Sequence, residues 1–471
     1  MRELSAQWIA QAAGGLLQAD KDIKVTSLST DTRTLKPGAL FVAIRGERFD
    51  GHHFAVDAVN KGAVLILAQK DGGLDRNIPA IYVDDTVEAL GSLAAAYRSL
   101  FNIPVVAVTG SVGKTSTKEM IAAVLSRDFN VHKTKGNLNN EIGLPLSVMA
   151  LEDSHEAAVF EMGMSGFGEI SRLSRIVRPD VAVITNIGIS HIGRLGSRQN
   201  ILKAKLEILE GMTPGGTVVL NGDDELLSGL KGLLEQKTLL YGIGEEADLQ
   251  AGDLLSKGEE GVSFSLHTHE GDVPLFVPAP GMHNVHNALA AVAVARILKM
   301  KEDRIREGLA AYTGERLRMC IEDYDGIKVI NDCYNAAPNS TQAALEVLKD
   351  IGRDHRKWAV LGDMLELGDW SEQAHLEIGK LTALIEADYL VAVGCYASWY
   401  IRGAELEKTD GLEKVLFEKA SDAADYIRSH AREGDVMLFK GSRRMQLDVL
   451  IKTLFDTETG LEASGRNVGH E

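Results

Sequence analysis

The residues with the clearest chemical meaning stand together in Thr109-Gly110-Ser111-Val112-Gly113-Lys114-Thr115-Ser116-Thr117. An apolar run over 103–108 precedes them and reads as a buried strand, and Met120, Ile121, Val124 and Leu125 share one face of a helix expected over 118–129. Strand, glycine-rich turn, Lys-Thr and helix is the setting in which such a string holds phosphate. Gly110 and Gly113 let backbone N–H groups close around phosphate oxygens, with Ser111, Val112 and Ser116 completing the cradle, and the helix N-terminus adds a favourable dipole. Lys114 would reach the β- and γ-phosphates of a nucleotide, and the Thr115 hydroxyl would ligate Mg²⁺. The loop is a variant: the usual first glycine would fall at Val108, and the first one here is Gly110.

Further candidates lie at the ends of other expected strands, where ligands sit in open α/β sheets. Glu161 closes an apolar strand, a position suited to a Mg²⁺-linked carboxylate. His191 follows another strand and is either a satisfied histidine or a site residue. Lys205, within Ala204-Lys205-Leu206-Glu207, reads from its surroundings as a solvated helix lysine. Asn284 and Asn287 share a face at a helix start, where they could cap the helix or read an adenine edge. Asp332 sits in a strand-to-helix turn, where it could accept from a ribose hydroxyl or cap the helix.

The elements that must position these groups form an alternating chain. With 471 residues there is room for about three domains. Residues 1–98 read as a small α+β domain with strands at 40–44, 63–67 and 80–83 and a helix over 87–100. Residues 99–314 read as a doubly wound sheet with strands at 103–108, 157–161, 181–185 and 217–220, then short antiparallel strands over 243–278 and a helix near 285–299. Residues 315–471 read as a Rossmann-like α/β domain with strands at 327–331, 358–362, 389–393, 414–417 and 435–439, and a frayed tail from Thr457.

The composition, 45% hydrophobic and 25% charged, is that of a globular α/β protein. A net charge of −17 argues against nucleic acid and against anionic membranes as partners. Cys320, Cys333 and Cys395 have no metal-ligand spacing and suit reduced thiols in the cytoplasm. The N-terminal stretch reads as a helix rather than a signal peptide, and no apolar run is long enough to span a bilayer.

Taken together, the segments resemble the Mur ligase family, the ATP-dependent amide-forming enzymes of peptidoglycan precursor synthesis. The resemblance runs through all three expected domains. The loop has the family's Thr-Gly-x-x-Gly-Lys-Thr form, and Glu161, His191 and Lys205 match its metal positions, including a lysine that the family carbamylates. Asn284 and Asn287 match its nucleotide-binding pair, and Arg318 (with Arg316 nearby) and Asp332 its ATP-contacting Arg and Asp. The resemblance implies catalytic roles for Lys114, His191 and Lys205, with two Mg²⁺ ions on Thr115, Glu161, His191 and a carbamylated Lys205.

Within the family, Tyr334-Asn335-Ala336-Ala337-Pro338 and 360–368 point to the branch that joins D-alanyl-D-alanine to UDP-N-acetylmuramoyl-tripeptide through an acyl phosphate. The Asp-Asn-Pro-Arg signature of the preceding, diaminopimelate-adding branch is absent. This resemblance implies that Thr30, Asp31, Arg33, Arg45, Gly46, Asp50, Gly51 and His52 hold the UDP-sugar peptide. Asn137, Asn139, Asn140, Asn335 and Ser340 are the remaining expected substrate contacts, and His375 is a further candidate for the dipeptide. A monomer is expected.

Overall fold

The structure, a computed structural model, describes residues 1–46, 49–407 and 411–455. Glu47 and Arg48 of the expected UDP-sugar segment and the tail from Thr457 lie outside the described residues. Three α/β layers follow one another along the chain, each built around its own sheet.

The first sheet has five strands in the order Leu16–Gln18, Ala80–Val83, Ala63–Gln69, Ala39–Val42 and Ser27–Ser29. The expected N-terminal helix is short. It covers Ala6–Ala13 and stops at Gly14, which takes a left-handed φ of 66°, so that Leu16 can enter the sheet. The helix Thr86–Arg98 is capped by Asp85, and Arg98 donates to the carbonyl of Val177, tying this unit to the middle one.

The middle sheet has nine strands, and its parallel core places Val105–Thr109 between Val181–Ile184 and Ala157–Glu161. Every residue of these three strands is buried, so they read as continuous apolar runs in the sequence. Two members were not expected. Val131–Lys133 is a short edge strand, and Lys237–Gly242 pairs in parallel with Thr217–Asn221 on one side and Leu249–Ser256 on the other. The antiparallel pairing expected over 243–278 holds from Leu249–Ser256 onward. The helix placed over 118–129 runs instead from Lys114 to Leu125, because Gly113, with a φ of 81°, starts it directly on the loop.

The third sheet runs Cys320–Tyr324, Ile327–Asp332, Val436–Lys440, Lys357–Gly362, Tyr389–Val393 and Glu413–Phe417, all parallel except the first. Across the middle and third layers the phosphate loop, Glu161, Asn284, Asn287 and Asp332 lie at strand ends and helix starts. No helix among the described residues is long and apolar enough to cross a membrane.

Candidate active site

The phosphate-type loop is held from the neighbouring strand. Gly110 has a φ of 154°, and a Cβ there would stand 1.8 Å from the Thr185 hydroxyl. Asn186 clamps the Val112 peptide from both sides: its Oδ1 accepts the Val112 N–H (3.1 Å) and its Nδ2 donates to the Val112 carbonyl (3.0 Å). The Thr185 hydroxyl donates to the same carbonyl at 2.6 Å, and the Ser111 hydroxyl accepts the Gly188 N–H at 2.9 Å. Thr185 and Asn186 stood in the sequence as neighbours of His191, without a signal that they brace the loop. Lys114 turns back over the loop and donates to the carbonyls of Gly110 (2.9 Å) and Ser111 (3.2 Å). Burial lowers the pKa of its ammonium, against the pull of Glu161.

Glu161 ends the adjacent strand, in register with Val108. Its Oε1 accepts from Asn139 Nδ2 at 2.8 Å, while its buried Oε2 has no hydrogen-bond partner. Asn139, expected at the substrate, therefore holds this carboxylate. A buried carboxylate oxygen left open costs free energy unless a cation takes it. The buried Thr115 hydroxyl begins the helix from the loop, so the donor set here suits a hard divalent ion. Lys118 was not singled out from the sequence. It is fully buried, donates to the Thr134 carbonyl (2.8 Å), pairs with Glu119 (2.8 Å) and stands 3.9 Å from Glu161 Oε2.

Lys205 corrects the expectation of a solvated lysine. It is 2% exposed on the helix Arg198–Leu206, whose inner face also buries Ile201 and Ala204. Burial, and then the like charge of Lys114, hold its pKa well below the usual lysine range. His191 sits in the left-handed region at the start of the short helix Ile192–Leu195, its Nδ1 2.7 Å from the Glu366 carboxylate of the third layer. Among the described residues no three His, Cys, Asp or Glu side chains gather as a preformed metal cluster.

Asn284 and Asn287 form a chain at the start of the helix His283–Ile297. Asn284 donates to the Pro280 carbonyl (2.9 Å), Asn287 donates to Asn284 (2.9 Å), and Asn287 Oδ1 accepts from Thr117 (3.0 Å). The pair thus ties the start of its helix to the preceding Pro280 and to Thr117, on the helix that begins with Lys114. Arg318 lies over the Tyr334 ring, 4.1 Å from its centre, and its charge reaches Lys114. Asp332 is occupied by a buried ion pair with Lys440, which also donates to the Asn335 carbonyl at 3.1 Å. Lys440, at the end of a strand in register with Asp332, was missed.

The other expected substrate residues fall into separate groups. Asp31 and Arg33 pair with each other, which lowers the Asp31 pKa to about 2, beside the partly exposed Thr30. Arg45 bridges Asp50 and Asp71, while the Gly46 and Gly51 N–H groups donate to the Phe49 and Ile44 carbonyls. His52 is buried between Asp50 and the Gln69 N–H. Asn140 accepts from Ile142 and Gly143 at a helix start, Asn137 is exposed, and the Ser340 hydroxyl is engaged with Ala337 in a helix cap. His375 is fully buried, its Nδ1 donating to the Ser371 carbonyl and its Nε2 accepting from Met364, so it supports the fold and does not face a ligand.

Three family descriptions match in order: Mur ligase family, catalytic domain, over residues 24–98; Mur ligase middle domain over 108–295; and Mur ligase, glutamate ligase domain, over 315–443. The UDP-N-acetylmuramoyl-tripeptide–D-alanyl-D-alanine ligase of Bacillus subtilis is 40% identical across 92% of this chain and 94% of its own. Among solved structures, MurF from Acinetobacter baumannii superposes with a TM-score of 0.89 at 34% identity, covering 97% of this chain and 99% of that one. MurF ligase from Thermotoga maritima in complex with ADP has a TM-score of 0.81 at 28% identity, covering 92% and 97%. Similar in sequence and in all three layers over nearly its whole length, the chain belongs to the Mur ligase family.

Proposed function

We propose that the protein joins D-alanyl-D-alanine to UDP-N-acetylmuramoyl-tripeptide at the cost of ATP, giving the pentapeptide, ADP and phosphate for peptidoglycan. One observation carries the reading: Glu161, with one buried carboxylate oxygen that makes no hydrogen bond, ends the strand beside a Lys114-bearing phosphate loop, in a chain that spans 94% of a relative named for this reaction.

A carboxylate resists attack by an amine, so it must first be given a better leaving group. The tripeptide carboxylate attacks the γ-phosphorus of ATP, the bond to the ADP oxygen breaks, and an acyl phosphate forms. The dipeptide amine then adds to the acyl carbon, its proton is lost, and the C–O bond to phosphate breaks. Lys114 and the loop N–H groups offset the repulsion between two anionic reactants and stabilise the charge that develops. Thr115 and Glu161 would hold one Mg²⁺, His191 and a carbamylated Lys205 a second; bound there, the ions supply positive charge at the phosphoryl group and the carboxylate. Asn284, Asn287, Arg318 and Asp332 serve the nucleotide in this reading. We assign residues 1–98 to the UDP-sugar peptide, 99–314 to ATP and 315–471 to the dipeptide, in a cytoplasmic monomer.

Burial of Lys205, which favours its neutral amine, supports its carbamylation. A neutral amine adds CO₂ with loss of a proton, and the resulting anion can ligate a cation where an ammonium cannot. Lys205→Ala is expected to lose most turnover, and added acetate or formate, whose carboxylate can stand in for the missing carbamate, to recover part of it. Full activity of Lys205→Ala would remove the lysine from the mechanism. The reaction itself is tested by mass spectrometry: the product must exceed the UDP-tripeptide by one dipeptide less one water.

A further inference from the structure

We propose that Glu366 is a positioning residue for the second metal site, its carboxylate fixing the His191 ring from the third layer of the molecule. This rests on His191 being a metal ligand, as proposed above. The Glu366 Oε2 stands 2.7 Å from His191 Nδ1, so the ring is oriented and Nε2 is left for a divalent cation. Carboxylates that take the far nitrogen of a metal-bound histidine fix its tautomer and raise its basicity as a ligand.

The backbone on both sides is shaped for this contact. His191 and Glu366 both occupy the left-handed region, with φ of 63° and 67°, which disfavours residues with a side chain. Behind them the two chains touch: a Cβ on Gly193 would stand 2.8 Å from the Gly368 nitrogen, and one on Gly368 would stand 2.9 Å from Gly193 Cα. The pair itself adds little stability, since the Glu366 side chain is 59% exposed and such pairs are worth about 0–1 kcal/mol. Two strained residues and two glycines in contact therefore point to placement of the ring. The metal site of the middle layer is completed by the layer that we assign to the incoming dipeptide.

The test is Mn²⁺ binding by the full-length protein with a non-hydrolysable ATP analogue and UDP-N-acetylmuramoyl-tripeptide, reading free Mn²⁺ by electron paramagnetic resonance. Wild type is expected to bind two ions. Glu366→Ala weakens one of them roughly ten- to a hundredfold and leaves the other unchanged, and Glu366→Gln, which keeps an acceptor, falls between. His191→Ala weakens the same ion. Unchanged binding in Glu366→Ala, with binding lost in His191→Ala, overturns the role of Glu366 alone. Unchanged binding in His191→Ala, or a single ion in wild type, overturns the metal reading and this inference with it.

Discussion

Lys118 lies one helical turn beyond Lys114, yet the two lysines serve different ends. Lys114 keeps its ammonium on the loop carbonyls, whereas Lys118 is walled in between Glu119, Glu161 and the Thr134 carbonyl. Removing the charge leaves Glu161 without the ammonium beside it, and Glu119 with Lys133 alone. Lys118→Met is therefore expected to cost about 3–5 kcal/mol of unfolding free energy. Chemical denaturation measures it, and a loss below about 1 kcal/mol would show that the carboxylates find other partners. His132 gives a pH dependence. Burial, aided by His155, lowers its pKa to about 4 from 6.5. The folded state then binds fewer protons than the unfolded chain between those values, so stability is full above pH ~6.5 and is lost as pH falls toward 4, by up to roughly 3 kcal/mol. His132→Gln should flatten that part of the stability curve; an unaltered slope would assign it to other groups. Neither residue was legible in advance, because sequence periodicity reports that a helix or strand position is buried but not which charge waits there.

At the scale of elements, the parallel strands and the loop between Val105–Thr109 and the helix Lys114–Leu125 were legible because apolar runs and glycines follow from burial and backbone geometry. Lys237–Gly242 was not, since it begins exposed and only its second half is buried. Val131–Lys133 is an edge strand of three residues, too short for a pattern. Lys205 was misread because its helix carries polar residues on most sides, and only packing shows which of them turns inward. The loop's dependence on glycine is testable. Gly110→Ala drives a Cβ into Thr185 and is expected to weaken binding of an ATP analogue more than tenfold by calorimetry. Gly232→Ala, at a φ of 77° with open space around it, is the control: it bears only the left-handed cost of about 1–2 kcal/mol and leaves binding intact. Equal binding by both variants would mean that the loop geometry does not set nucleotide affinity.

At the scale of the whole molecule, the site is assembled from segments far apart in the chain. Asn186 and Asn287 reach the phosphate loop within the middle layer, and Arg318 and Glu366 approach from the third. The candidate nucleotide residues could be found from motif and strand end, but the contact between His191 and Glu366 joins two segments that no local pattern relates. The same holds for Asp332 and Lys440, whose strands are brought side by side only by the sheet order. A molecule built this way should turn over ATP only when all its substrates are in place. The most direct measurement is phosphate release from ATP with UDP-N-acetylmuramoyl-tripeptide, with and without D-alanyl-D-alanine. Sustained release is expected only with both present; sustained release without the dipeptide, or none with it, would overturn the proposed reaction.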